Sequence, residues 1–144
     1  MSAKLSLNNF KFVVGETIAF CQMVEHDLKV IFATIASGDF NENFEFFKTW
    51  TLGQTVNEIE AFDEELETPN FTRKEYAILK SMTKKRNYIC HEIFRTFAYI
   101  KNFGESKEFE LACDVLLDFH EDVVEIAKSI ERVRIRSCAN LYSR

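Results

Sequence analysis

Within the run Arg86-Asn87-Tyr88-Ile89-Cys90-His91, a guanidinium, a carboxamide and an imidazole fall inside six positions. At about 100° per residue, Arg86 lies in the middle of an apolar helical stripe, between Met82 and Ile89. A charge placed there needs a partner, or an interface at which water or a ligand reaches its head. Asn87 and His91 are i and i+4 and stack on one flank of that stripe. Arg86 and His91 are separated by about 140° around the axis, too far for a compact pair by backbone position alone. Long side chains would have to converge, or a second copy complete the site. The plain structural alternative is an Arg paired with a carboxylate on a neighbouring helix, with His91 an ordinary boundary residue.

Other chemistries find little support. His91-Glu92 opens a zincin-like pattern, but Arg95 stands where a second His is required. A di-iron bundle needs Glu three residues before His, and Met23, Tyr88 and Leu117 occupy those places before His26, His91 and His120. Gly15, Gly38, Gly53 and Gly104 stand alone, so no phosphate-cradling loop is expected. Cys21, Cys90, Cys113 and Cys138 form no Cys-x-x-Cys pair and read as reduced side chains, mostly buried. No metal or other cofactor is expected. Glu25-His26-Asp27 reads first as a solvated polar patch, with a place facing the site as the alternative. The Phe44-Phe46-Phe47-Trp50 cluster reads as core or dimer contact before a base-stacking surface.

The elements that must position these residues are helical. Val14, Ile18, Cys21, Val24, Leu28, Ile31 and Ile35 step by three or four, and Ser37-Gly38-Asp39 ends that helix. The Phe44 to Trp50 stretch reads as a short helix of its own. Thr51 and Gln54 form a capping box before Leu52, Val56, Ile59, Phe62 and Leu66. Thr72 and Glu75 form a second box, with Phe71 and Tyr76 at the staple positions. That third stripe runs Tyr76, Leu79, Met82, Ile89, Ile93, Phe97 and Ile100, up to a turn at Lys101-Asn102-Phe103-Gly104. The fourth carries Ala112, Val115, Phe119, Val123, Ile126, Ile130 and Val133. Short loops between long amphipathic helices predict an all-α, up-and-down antiparallel bundle of four long helices plus one short one.

With 144 residues, 47% of them hydrophobic, the chain suits a single domain over 1–144 with a proper core. Only 4 Gly and 1 Pro interrupt it, which favours long helices. No segment reaches the roughly 18 apolar residues of a membrane span, and the Met-Ser-Ala-Lys-Leu start lacks a secretory signal. A cytoplasmic protein with no membrane partner is expected. The net charge of −5 counts against bulk electrostatic attraction to nucleic acid. Local basic runs remain at Lys84-Lys85-Arg86 with Arg95, and at Arg132, Arg134 and Arg136.

The Arg86-Asn87-x-x-x-His91 run resembles the Arg-x4-6-His motif of the HEPN superfamily, including the Asn that often follows the Arg. Lys48-Thr49-Trp50-Thr51-Leu52-Gly53-Gln54 is similar to the Thr-Leu-Gly-Gln stretch of some relatives. The resemblance covers most of the chain as architecture and only these residues as motif. It implies a HEPN-like domain that forms a homodimer with facing motif helices and a composite, metal-independent ribonuclease site. Arg86, Asn87 and His91 would then be catalytic, with Lys84, Lys85 and Arg95 binding RNA. His91 would move a proton as the ribose 2′-OH attacks phosphorus, since a histidine titrates near neutrality. Arg86 would hold the phosphate, and Asn87 would orient His91 or donate to a phosphate oxygen. An antitoxin protein is the further partner the resemblance implies. Ile93 stands where some family toxins carry a modifiable Tyr, so that control does not carry over. Some relatives serve only as binding or dimerisation modules, which is the competing expectation.

Overall fold

The computed structural model of the protein describes residues 5–142, which form helices joined by short turns, with no strand among them. Helix α1 spans Leu7–Ile35, α2 Phe40–Phe47, α3 Leu52–Glu64, α4 Arg73–His91 and α5 Lys107–Tyr142. Two 3-10 turns, Ile93–Thr96 and Phe103–Glu105, lie between α4 and α5.

Each helix start has a local chemical cause. Ser6 Oγ accepts from Asn9 N at 3.1 Å to open α1, and Asp39 does the same for Glu42 N at 3.1 Å in α2. The two expected capping boxes are present. Thr51 and Gln54 exchange bonds of 2.9 and 3.1 Å, and Thr72 and Glu75 bonds of 2.9 and 3.2 Å. The Phe71 and Tyr76 rings meet at 5.7 Å, as the staple predicts. Between α1 and α2, Gly38 takes φ +106, a conformation that favours glycine. The Asn43 carboxamide donates to the carbonyls of Ala33, Ala36 and Ser37 at 3.2 to 3.4 Å, satisfying groups that the end of α1 leaves free.

A buried carboxylate closes the α3–α4 connection. Asp63 is 2% exposed and accepts from Asn70 N (3.0 Å), Asn70 Nδ2 (2.8 Å), Phe71 N (3.1 Å) and the Tyr76 hydroxyl. Burial, followed by that hydrogen bond, raises the Tyr76 pKa well above the usual phenol value.

Most residues of the predicted stripes form the core, but Leu66 of the second stripe lies beyond the end of α3 and is 39% exposed, and two further differences concern the third and fourth stripes. The third stripe was expected to stay helical through Ile93, Phe97 and Ile100, but α4 ends at His91, where Glu92 takes φ −126 and ψ −37. Ile93 and Phe97 are still buried, while Ile100 is 36% exposed. An aromatic cluster at this end of the bundle accounts for the break. The Phe10 ring lies 5.3 Å from both Phe94 and Phe97 and 5.5 Å from Phe109. Compact turns bring these rings together from α1, the α4–α5 connection and α5. Val115 is the second difference, 46% exposed although it belongs to the α5 stripe.

Helix directions also depart from a simple up-and-down order. Phe10 meets Phe109, Glu16 meets His120 and Asp27 meets Arg134, so α1 and α5 run parallel. The pairs Glu25–Arg86 and Phe10–Phe94 make α4 antiparallel to α1, and Lys80–Glu60 makes it antiparallel to α3. The short α2 returns along α1, with Phe47 stacked on Phe32 at 4.4 Å, and thereby lets α3 start upward again.

Candidate functional site

Arg86 occupies the predicted place on α4, flanked by Met82 and Ile89, which are 0% and 2% exposed. Its guanidinium crosses to α1, with Nη1 3.2 Å from Glu25 Oε2. The other Glu25 oxygen lies 3.6 Å from Lys29 Nζ, and Lys29 donates to the Lys48 carbonyl at 2.8 Å. Three charged side chains therefore form a chain from α4 through α1 to the α2–α3 connection. This chain links the two segments that carry the family resemblance. Two cations share one carboxylate, which leaves a surplus positive charge in the seam. The Arg86 and Glu25 side chains keep 27% and 26% exposure, so the pair is partnered but not sealed.

The surroundings of the pair are apolar on the α1 side. Cys21 is fully buried beside it, and burial pushes its thiol up to about 11, opposed in part by the Arg86 charge.

Asn87 and His91 are exposed and share one row with Lys84 at the solvent side of α4. Neither the Asn87 nor the His91 side chain makes a hydrogen bond or ion pair among the described residues. Helical period thus puts Lys84, Asn87 and His91 on one surface of α4, and packing directs Arg86 into the α1–α4 seam. Lys85 turns toward α5, 3.7 Å from Asp122 and 5.8 Å from the centre of the Phe119 ring. Arg95 is exposed on the 3-10 turn beyond the end of α4.

Glu25 is the site residue that motif spacing alone does not assign, and its neighbours divide their roles. His26 is exposed with its ring 5.8 Å from Phe44, while Asp27 lies 3.8 Å from Arg134 Nε. Lys29 has a readable signal, since it stands i+4 from Glu25 and between Leu28 and Ile31 of an apolar stripe. The carboxy-terminal arginines are engaged within the fold. Arg132 donates to Ser129 at 3.0 Å and Arg136 to Asn70 at 3.4 Å, and Arg134 faces Asp27. Phe47 packs between Phe32 and Trp50 and is the buried member of the aromatic cluster; Phe44 and Trp50 are half-buried against the core, and Phe46 is 66% exposed.

Among the described residues, no three His, Cys, Asp or Glu side chains gather as a metal site. None of the described helices is long and apolar enough to cross a membrane. No protein-family model, curated protein or solved structure matches the chain.

Proposed function

We propose that the protein is a metal-independent endoribonuclease similar to HEPN toxins and anti-phage effectors, acting as a homodimer. One observation carries the proposal: an unpartnered, exposed Asn87–His91 row lies next to a half-open seam holding Arg86 with surplus positive charge. One chain separates the imidazole from the guanidinium, and a second copy across a twofold axis supplies the missing half. In that composite site His91 takes the proton of the ribose 2′-OH as its oxygen attacks phosphorus. The bond to the 5′ oxygen breaks and that oxygen takes a proton from water, leaving a 2′,3′-cyclic phosphate and a 5′-hydroxyl. Arg86 offsets charge on the equatorial oxygens, and Asn87 orients His91 or donates to a phosphate oxygen. Lys84, Lys85 and Arg95 attract the RNA backbone. A cognate antitoxin protein and a cytoplasmic setting belong to the same proposal.

A second reading, a non-catalytic HEPN-like dimerisation module, is favoured by the Arg86–Glu25 pair, because the carboxylate already occupies one face of the guanidinium. RNA incubated in EDTA separates the two. The ribonuclease cuts it as wild type, and His91→Ala spares it. Equal rates in both proteins, or no cutting by either, leave the binding module standing.

A further inference from the structure

A groove of about 480 Å³ runs between α4 and α5, directly beside the Asn87–His91 row. Tyr88 joins the two features, one turn from Lys84 on one side and from His91 on the other. The groove has an apolar floor of Ile89 and Phe119, which are 2% and 3% exposed. Val115 forms its lip, 46% exposed although its place in the α5 stripe is that of a core residue. The two edges differ in charge. Lys84 and Lys85 lie on the α4 edge and Asp118 on the α5 edge, all exposed; Lys85 is paired with Asp122, whereas the side chains of Lys84 and Asp118 make no ion pair or hydrogen bond among the described residues.

We infer that this groove is a nucleobase subsite that takes the guanine of a ribonucleotide. The inference rests on the ribonuclease proposal for where the subsite lies, next to the cleaved phosphate. A flat aromatic ring suits an apolar slot with Tyr88 and Val115 at its rim and Ile89 and Phe119 beneath, where apolar contact is tolerant of base type. Selection must then come from the edge. A carboxylate accepts hydrogen bonds and donates none. Guanine alone among the four bases presents two parallel donors, N1–H and N2–H, to both oxygens of one carboxylate. Adenine and cytosine offer one amino group, and uracil one imide N–H, each beside an acceptor that a carboxylate repels. Asp118 therefore favours guanine, and Lys84 on the opposite edge holds the attached phosphate without regard to the base. The volume lies in the range of small-ligand sites.

The test is titration of the full chain with the 3′-monophosphates of guanosine, adenosine, cytidine and uridine, none of which it can cleave. Guanosine 3′-monophosphate should bind about tenfold more tightly than the other three, since a good bidentate contact discriminates by that order. Asp118→Asn should bring the four affinities to within about twofold of one another, and Lys84→Ala should weaken all four equally. Both positions are exposed, so folding is not at stake. Four equal affinities in wild type, no binding at millimolar nucleotide, or a preference that survives Asp118→Asn would overturn the subsite. So would Val115→Glu converting dimers to monomers with nucleotide binding unchanged, which makes the groove a protein interface. Guanine selection through Asp118 without RNA cleavage keeps the subsite and removes the ribonuclease. Cleavage without guanine preference does the reverse.

Discussion

The Arg86 guanidinium and the Glu25 carboxylate meet at 3.2 Å across 61 positions of sequence, and each side chain keeps about a quarter of its surface open. A pair of this exposure contributes about 1 kcal/mol, since water screens it and its side chains must be ordered. A double-mutant cycle with Glu25→Gln and Arg86→Gln, followed by urea unfolding, should return a coupling of that size. Under the proposed ribonuclease reading, RNA cleavage should divide the two residues more sharply. Arg86→Ala should lower the rate by on the order of 100-fold, as loss of a phosphate donor does. Glu25→Gln should retain or raise it, because the guanidinium is released toward substrate. Equal loss in both variants would assign the pair a purely structural role.

Asp63 makes a second prediction, one about folding. Removing a buried carboxylate strands the amides of Asn70 and Phe71 and the Tyr76 hydroxyl. Asp63→Ala should cost about 3 kcal/mol or more, read as a lower urea midpoint with an unchanged slope. A loss below about 1 kcal/mol would mean that water replaces the carboxylate freely.

The Cys21 thiol sets an alkaline limit. Its pKa rises on folding, from 9.0 to about 11, so the folded chain holds this proton more tightly than the unfolded one. Its contribution is complete below pH 9 and declines as pH climbs through 11, by on the order of 2–3 kcal/mol. Tyr76, also raised, adds a loss that begins above its ordinary 10.0. Cys21→Ala should flatten the stability curve between pH 9 and 11 whatever cavity cost it brings. An unchanged slope would place the thiol in contact with water.

Thiol labelling gives an independent check on the packing. Cys90 is exposed and Cys138 intermediate, whereas Cys21 and Cys113 are buried. Iodoacetamide should modify Cys90 first at neutral pH and leave Cys21 and Cys113 protected until the chain unfolds. Labelling of Cys21 at the rate of Cys90 would contradict the α1–α4 packing.

The sequence by itself determined what neighbouring residues decide. Thr51 with Gln54 and Thr72 with Glu75 start their helices because each box is closed within three residues. The apolar stripes of α1, α3, α4 and α5 are legible because a 3.6-residue period puts one face inward whatever lies opposite. Asn87 and His91 share a row for the same reason, and the place of Arg86 on the apolar stripe follows from it too.

Tertiary structure alone decided which surfaces those stripes meet. The end of α4 at His91 depends on Phe10 and Phe109, residues from two other helices, and no local signal marks it. The parallel course of α1 and α5 follows from the short return of α2, which a periodic pattern does not encode. Glu25 becomes the partner of Arg86, and Val115 lies open above a groove, only once α1, α4 and α5 have packed. Local hydrogen bonds and helical period act over a few residues, whereas ion pairs and clefts arise where distant segments are brought within a few ångströms.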